Sequence, residues 1–402
     1  MKILILFLTI VYLAFLVNEA KNADSDRKKL SHIVHVNAIR GKSSVSRLIE
    51  AGLRAGGFNV FCKTTDTVPM TIDTKGIESP IIRRGRSNIK EQLRIMRMAA
   101  EDGADVLVIE CMAVDPALQF VCQHKMLKAD IGVITNVRLD HTEEMGATLD
   151  GICNSLCNTV PKSGVVFTAD NDYFAAIKKH AESLSSKAIL SDTENCHEQD
   201  IDFTENVALA IEVCSYLGVE RDVALRGMAN YKRDPYALSI YTLCGGAVFI
   251  NGLSINDPDS SFGVWDMLKN KHKFSDKHLI LLINNRPDRG YRTEHMLVLT
   301  ERLLPDEVWL LGASQRVVSR KISKLPKSSV VRCFKTADEL PLNETNGETV
   351  IFAAGNNCKS RTPSYETGKR GGKAICIIIS FYWVLLSAFF STNLPDIHLP
   401  DL

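Results

Sequence analysis

An α/β fold built on a mostly parallel sheet is predicted by two features of this chain. The first is Ile33 to Ser44, IVHVNAIRGKSS, where a short apolar strand runs straight into Arg40-Gly41-Lys42-Ser43. The second is the downstream alternation of β-branched apolar runs with stretches whose apolar residues recur at helical spacing. Such alternation places helices on both faces of a parallel sheet.

The loop is the more specific feature. A tight turn between strand and helix points successive backbone N–H groups at one place and so grips an anion. Arg40, Gly41, Lys42, Ser43 and Ser44 would line that grip, with Lys42 reaching the β- and γ-phosphates of ATP and the Ser43 hydroxyl completing the shell of a Mg²⁺ ion. A helix is predicted over Ser43 to Ala55, because Val45, Leu48, Ile49 and Leu53 then share one face. The strict GxxxxGKS pattern is not met: Val36 stands where its first glycine would be. The competing reading is an ordinary strand–turn–helix with an exposed lysine.

Further strands are predicted over Asn59 to Lys63, Val106 to Glu110, Ile131 to Asn136 and Val165 to Thr168, and helices over Ile89 to Glu101, Asp172 to Leu184 and Glu205 to Leu217. A break near Tyr231 to Leu238 precedes a second αβ pattern, with strands at Ala247 to Asn251, Leu279 to Ile283, Glu307 to Leu311 and Val350 to Ala354. The expected organisation is a hydrophobic segment (1–30), an ATP-binding domain (31–235), a smaller C-terminal α/β domain (236–372) and a hydrophobic tail (373–402).

Composition narrows the class. With 402 residues, 45% of them hydrophobic, and a net charge of +1, the chain can bury two cores and has no basic bias toward nucleic acid. Its 11 cysteines form no CxxC pair and do not alternate with histidine, so they read as reduced thiols, Cys111 and Cys214 inside apolar runs.

Both ends are apolar. Ile3 to Val17 and Ala374 to Phe390 are each somewhat shorter than the ~20 residues a spanning helix needs. Lys21, Arg27, Lys28 and Lys29 follow the first run, and Lys369, Arg370 and Lys373 precede the second. The positive-inside rule then places the body between them in the cytoplasm, where ATP is available. A cleaved signal peptide competes for the first run, although Val17-Asn18-Glu19-Ala20 offers no clear cleavage site.

Open α/β sheets bind ligands at the C-terminal ends of their strands. Glu110 closes VLVIE and is a natural Mg²⁺ ligand there, with a solvated strand-end charge as the alternative. In ITNVRLDH, Asn136 ends a strand and Asp140 and His141 lie just beyond. INDPDSS and NNRPDRGYRT are polar, turn-forming stretches after apolar strands in the second half.

In this order and spacing, GKSS, the strand-end Glu110 and TNVRLDH resemble the central ATPase domain of the Mur ligase superfamily. Within it, VNAIRGKSSVSRLI, PIIRRGRSNIKEQ, GADVLVIECMAVDPALQ, IGVITNVRLDHTEEMGATL, NVALAIEVCSYLGV, NDPDS and NRPDR resemble the ligase subunit of poly-γ-glutamate synthases, over about Ser31 to Ala354. The resemblance implies a P-loop, Mur-ligase-like ATPase domain followed by a smaller Rossmann-like α/β domain. It implies that Gly41, Lys42 and Ser43 hold the ATP phosphates and that Ser43, Glu110 and His141 take part in metal binding. Lys42, Glu110 and His141 would then carry catalysis, while Asn136 and Asp140 shape the loop. Asn256 and Asp257 would line the nucleotide side of the second domain, and Arg286, Asp288 and Arg289 would close over ATP and the acyl phosphate.

The implied reaction is ATP-dependent ligation of free glutamate to the γ-carboxylate of a growing poly-γ-glutamate chain, beside integral-membrane partner subunits. Arg83 and Arg84 offer an anionic chain a basic contact, or are a solvated turn. Ala38 adds a methyl group where the family has glycine, which would weaken phosphate binding or shift the loop. Two other readings stand beside this one: a folylpolyglutamate-type ligase, and a catalytically silent ATP-binding scaffold of a membrane polymer-export complex.

Overall fold

The computed structural model describes residues 2–65, 69–83, 85, 87–194, 196, 201–233, 238–243, 245–253, 255, 258–285, 292–325 and 329–355. The apolar run Ala374 to Phe390 lies outside them. The chain divides into two compact units, the first ending at Arg233.

In the first unit, α1 (Lys2–Lys29), β1 (His32–Asn37), α2 (Lys42–Ala55), β2 (Val60–Lys63), β3 (Met70–Ile72), β4 (Glu78–Pro80), α3 (Glu91–Glu101), β5 (Val106–Glu110) and α4 (Pro116–Val121) come first. They are followed by β6 (Ile131–Ile134), α5 (Thr142–Met145), α6 (Leu149–Cys157), β7 (Val165–Thr168), α7 (Phe174–Ser183), β8 (Lys187–Leu190), α8 (Thr204–Tyr216) and α9 (Arg221–Ala229). The sheet order is β4-β3-β2-β5-β1-β6-β7-β8. Strands β2, β5, β1, β6, β7 and β8 pair in parallel; β3 and β4 extend the edge antiparallel.

Period-two alternation decides what each strand offers to each face. On β1, Val34 and Val36 join Val45, Leu48, Ile49 and Leu53 of α2 in one core cluster, as the helical spacing of α2 predicts. Ile33, of opposite parity, packs on the other face with Leu107 and Ile109 of β5. That face also carries His35 and Asn37, both buried, and α4 with the turn that follows it supplies a partner for each. Asp115 caps α4 by accepting the Leu118 N–H at 3.0 Å, and Pro116 fits its first turn. A turn of π-helix, Cys122–Leu127, continues α4. The extra residue per turn brings Gln123 to the ring of His35, Oε1 to Nδ1, at 2.8 Å, while its Nε2 donates to the Ala129 carbonyl at 2.9 Å.

Helix α1 is longer than its apolar run. Residues 3–13 are exposed along its first turns, and the helix is long and apolar enough to cross a membrane. Its last turns dock on the unit through ions: Arg27 pairs with Asp130 at 3.0 Å, Lys90 with Glu19 at 3.1 Å, and the buried Asp26 with Arg97 at 3.4 Å.

The second unit contains β9 (Ser239–Thr242), β10 (Val248–Asn251), α10 (Pro258–His272), β11 (His278–Asn285), α11 (Arg292–Leu303), β12 (Glu307–Gly312), α12 (Gln315–Ile322), β13 (Val330–Cys333) and β14 (Thr349–Gly355). Its sheet, β13-β12-β11-β14-β10-β9, is parallel apart from β9, with apolar clusters on both faces.

Two expectations need correction. Strand β6 stops at Ile134, so Asn136 lies beyond it; Thr135 and Asn136 instead turn to bond Arg40. Arg83 is partly buried rather than a solvated turn residue, because it grips Glu91 with a two-pronged bond of 2.7 and 2.8 Å; Arg84 lies outside the described residues. The thiols are as expected: of the described cysteines only Cys333 is exposed, and burial pushes Cys214 up to about 12.

Complete burial holds His35 at about 4, below its ordinary 6.5, so the folded protein keeps it neutral where the unfolded chain takes up a proton. The sign follows: the stability His35 contributes is complete above 6.5 and is lost as pH falls toward 4. Chemical unfolding between those values should show the stability–pH slope shrink by about one proton in His35→Asn.

Candidate functional site

Strands β5, β1 and β6 lie side by side, with Val36 opposite Glu110 and Asn37 opposite Ile134. The loops that leave their C-terminal ends therefore start at one level and share one edge of the sheet. Those loops carry Glu110, the Arg40–Ser44 segment and Asn136 to His141.

Asn37 roots the first loop. Its Oδ1 accepts the Ala38 N–H at 2.9 Å, and its Nδ2 donates to Gln119 Oε1 at 3.0 Å and to Thr159 Oγ1 at 3.3 Å. Gly41 then turns the chain into α2 with φ +77°, a left-handed conformation that favours glycine. Asn206 of α8 lies directly over it: a Cβ at Gly41 would stand 2.9 Å from Asn206 Oδ1. The Lys42 ammonium folds back and donates to the Ala38 carbonyl at 2.7 Å. It lies close enough to His141 and Cys111 to act on both electrostatically. Ser43 is 3% exposed, and among the described residues its Oγ has no hydrogen-bond partner. Ser44, next along α2, is half-buried.

The third loop is tied to the first. Arg40 N–H donates to Asn136 Oδ1, and Asn136 Nδ2 donates back to the Arg40 carbonyl, each at 3.2 Å. The Arg40 guanidinium reaches Asp140 Oδ2 at 3.1 Å. Asp140 also accepts the His141 N–H at 2.8 Å, which helps hold His141 at φ +52° ahead of α5. Burial pushes the His141 imidazole below its ordinary range, with Asp140 pulling the other way. A neutral ring keeps a lone pair for a cation.

Glu110 is fully buried. One carboxylate oxygen, Oε2, accepts from both the N–H of Thr65 at 2.9 Å and its hydroxyl at 2.5 Å.

These donors fit a divalent cation. The Ser43 hydroxyl is buried without a partner, a condition that ordinarily costs roughly 1–3 kcal/mol unless a ligand meets it. Among the described residues no three carboxylate, imidazole or thiolate groups cluster, so an ion here would take its remaining ligands from hydroxyl, water and phosphate oxygens.

Sequence reasoning placed Arg40, Gly41, Lys42, Ser43, Ser44, Glu110, Asn136, Asp140 and His141, and the fold gathers them on adjoining loops of one sheet edge. Asn256, Asp257, Arg286, Asp288 and Arg289 lie outside the described residues. Three contributors were not singled out: Asn37, Thr65 and Asn206. Thr65 follows the end of β2 and was open to the strand-end argument applied to Glu110; Asn206 sits on a helix and gives no such signal.

Residues 40–232 match the Mur ligase middle domain, and residues 240–366 match the poly-gamma-glutamate synthase CapB C-terminal domain. Among solved structures, Escherichia coli FolC in complex with ADP superposes with a TM-score of 0.66 at 12% identity, covering 95% of this chain and 98% of that one. The Yersinia pestis bifunctional folylpolyglutamate synthase/dihydrofolate synthase complexed with AMPPNP and a Mn ion gives 0.64 at 14%, covering 84% and 90%. At such identities the likeness concerns the fold alone; the two family matches define a ligase of the Mur type.

The PGA synthase CapB of Bacillus subtilis is 33% identical over 354 residues, 83% of this chain and 89% of that protein. The capsule biosynthesis protein CapB of Bacillus anthracis is 36% identical over 282 residues, 67% of this chain but 61% of that protein's length. The chain belongs to the CapB family of poly-γ-glutamate synthases.

Replacing Gly41 with alanine forces a Cβ into left-handed backbone and against Asn206. The expected cost is about 1–2 kcal/mol, and nucleotide titration should show ATP affinity reduced by about tenfold.

Proposed function

We propose that this chain is an ATP-dependent acid–amino acid ligase that extends poly-γ-glutamate, joining free glutamate to a γ-carboxylate through an acyl phosphate. The observation that carries this reading is the meeting of Lys42, Ser43, Glu110 and His141 on adjoining loops of one sheet edge in a CapB-family chain.

A carboxylate is a poor acyl donor. An oxygen of the γ-carboxylate attacks the γ-phosphorus of ATP, the bond from that phosphorus to the β-phosphate oxygen breaks, and ADP leaves. The backbone N–H groups around Gly41 and the Lys42 ammonium face the charge that spreads over the transferring oxygens. For Lys42 this means exchanging the Ala38 carbonyl for phosphate. The amine of glutamate then attacks the acyl carbon, a proton is lost from nitrogen, the carbon–oxygen bond to phosphate breaks, and the amide closes as phosphate departs. Ser43, Glu110 and the neutral His141 would hold Mg²⁺, which when bound neutralises phosphate charge and fixes phosphate geometry.

Ala38 does not oppose this. Its φ is not positive, so its methyl imposes no backbone strain, and its carbonyl already serves Lys42. Helix α1 would anchor the unit in the membrane, with the basic residues from Lys21 to Lys29 on the cytoplasmic side. ATP and glutamate would both be supplied there, beside membrane-embedded partner subunits.

Detergent-extracted protein should release ADP and phosphate only with both Mg²⁺ and glutamate. Lys42→Ala and His141→Ala should each lower the rate by about a hundredfold or more. Release that ignores glutamate, or ATP binding with no turnover, would sink the ligase reading. In the same assay, Ala38→Gly should change the rate by no more than about threefold, the size of an alanine–glycine exchange at a buried position whose backbone suits either residue.

A further inference from the structure

A connected set of buried polar groups lies beside Glu110 and belongs to none of the phosphate-gripping residues. At the end of β2, Lys63 is completely buried, donates to Gln92 Oε1 at 3.0 Å and pairs with Glu91 at 3.3 Å. Glu91 is in turn held by both prongs of Arg83. Gln92 uses its other end to donate to the Glu110 backbone carbonyl at 2.9 Å. Two residues past Lys63, Thr65 donates twice to the Glu110 carboxylate. The segment from Lys63 to Thr65 thus holds the main chain of Glu110 through Gln92 and its side chain through Thr65.

A buried lysine is costly, and no catalytic step above uses this one. Its anchoring explains it: a cation fixed by Glu91 and Gln92 locks the end of β2, and that lock sets the position of Thr65. Two donors converging on a single oxygen remove the rotational freedom of a carboxylate.

We propose that Thr65 is a positioning residue that fixes the Glu110 carboxylate in the orientation in which it receives a divalent cation, with the Lys63–Glu91–Gln92 set as its foundation. This rests on the reading of Glu110 as a metal ligand given above. Partners that orient a ligating carboxylate typically contribute 10–100-fold to metal affinity. A threonine whose hydroxyl merely fills space would contribute nothing of the kind.

The test is Mn²⁺ affinity of the full, detergent-extracted chain freed of metal, with unbound Mn²⁺ counted by its EPR signal, so that turnover is not the readout. Thr65→Ala removes the hydroxyl, Thr65→Val removes it while keeping the volume, Thr65→Ser keeps it, and Glu110→Gln removes the ligand charge. Thermal unfolding without metal accompanies each. The expected result is an affinity about tenfold weaker in Thr65→Ala and Thr65→Val, restored in Thr65→Ser, and lost in Glu110→Gln. Parental affinity in either Thr65→Ala or Thr65→Val, with Glu110→Gln impaired, overturns the role of Thr65 and leaves the metal reading standing. Parental affinity in Glu110→Gln overturns both. Equal weakening in Thr65→Ser and Thr65→Ala also overturns the proposal, since the hydroxyl would then not matter.

Discussion

The site hangs on the anchoring of Asn37. In the role proposed for it, the loop must have its backbone N–H groups aimed before an anion arrives, and it leaves β1 through a single buried carboxamide with three bonds. Gln119 and Thr159 hold that carboxamide from the face opposite α2. Because β1 is central, flanked by β5 and β6, the same residue also sets the level at which Glu110 and Asn136 emerge. A shift of one residue along β1 would turn His35 and Asn37 into the apolar cluster under α2, and the loop would lose its root.

Around that root, polar groups are buried in sets rather than singly. Arg47 on α2 is 1% exposed, pairs with Glu78 and donates to the Lys232 carbonyl at 3.2 Å. Asp202 accepts from Asn206 Nδ2 at 2.7 Å and from the Tyr231 hydroxyl, so the carboxamide over Gly41 is itself held in place. Such sets are costly to assemble and stabilise little over apolar packing. What they supply is rigidity in the first unit: α2, the end of β2 and the residues just before Arg233 are all tied to the loop edge.

Helix α1 joins two environments in one element. Its early turns are exposed and apolar, with Leu4, Phe7, Leu8 and Val11 all about half exposed or more, while its last turns meet the protein through ion pairs. Under the proposed membrane anchoring, ion pairs at the docking end would suit such a helix, since apolar docking residues would be indifferent between protein and lipid. Helix α1 is therefore fixed to the first unit by specific contacts at its C-terminal end.

The sequence alone determined the α/β alternation, the positions of β5 and β7, the helix after Gly41 and the class of ligase. Each of these is written in short stretches: period two, period 3.6, a turn glycine and a lysine within its reach. It also pointed to Gly41 to Ser43 through the loop pattern, and to Glu110, Asp140 and His141 through their strand-end positions, and the fold brings these residues to one sheet edge. Only the tertiary structure decided what holds them. Thr65 and Glu110 are 45 residues apart, Asn37 and Gln119 are 82 apart, and Gly41 meets Asn206 through a contact that no local pattern encodes. The π-turn that carries Gln123 to His35 and the pairing of Arg83 with Glu91 belong to the same group. The physical reason is common to all of them. A buried polar group must find its partner wherever folding brings one, and that partner is fixed by the sheet order and register, not by neighbours along the chain.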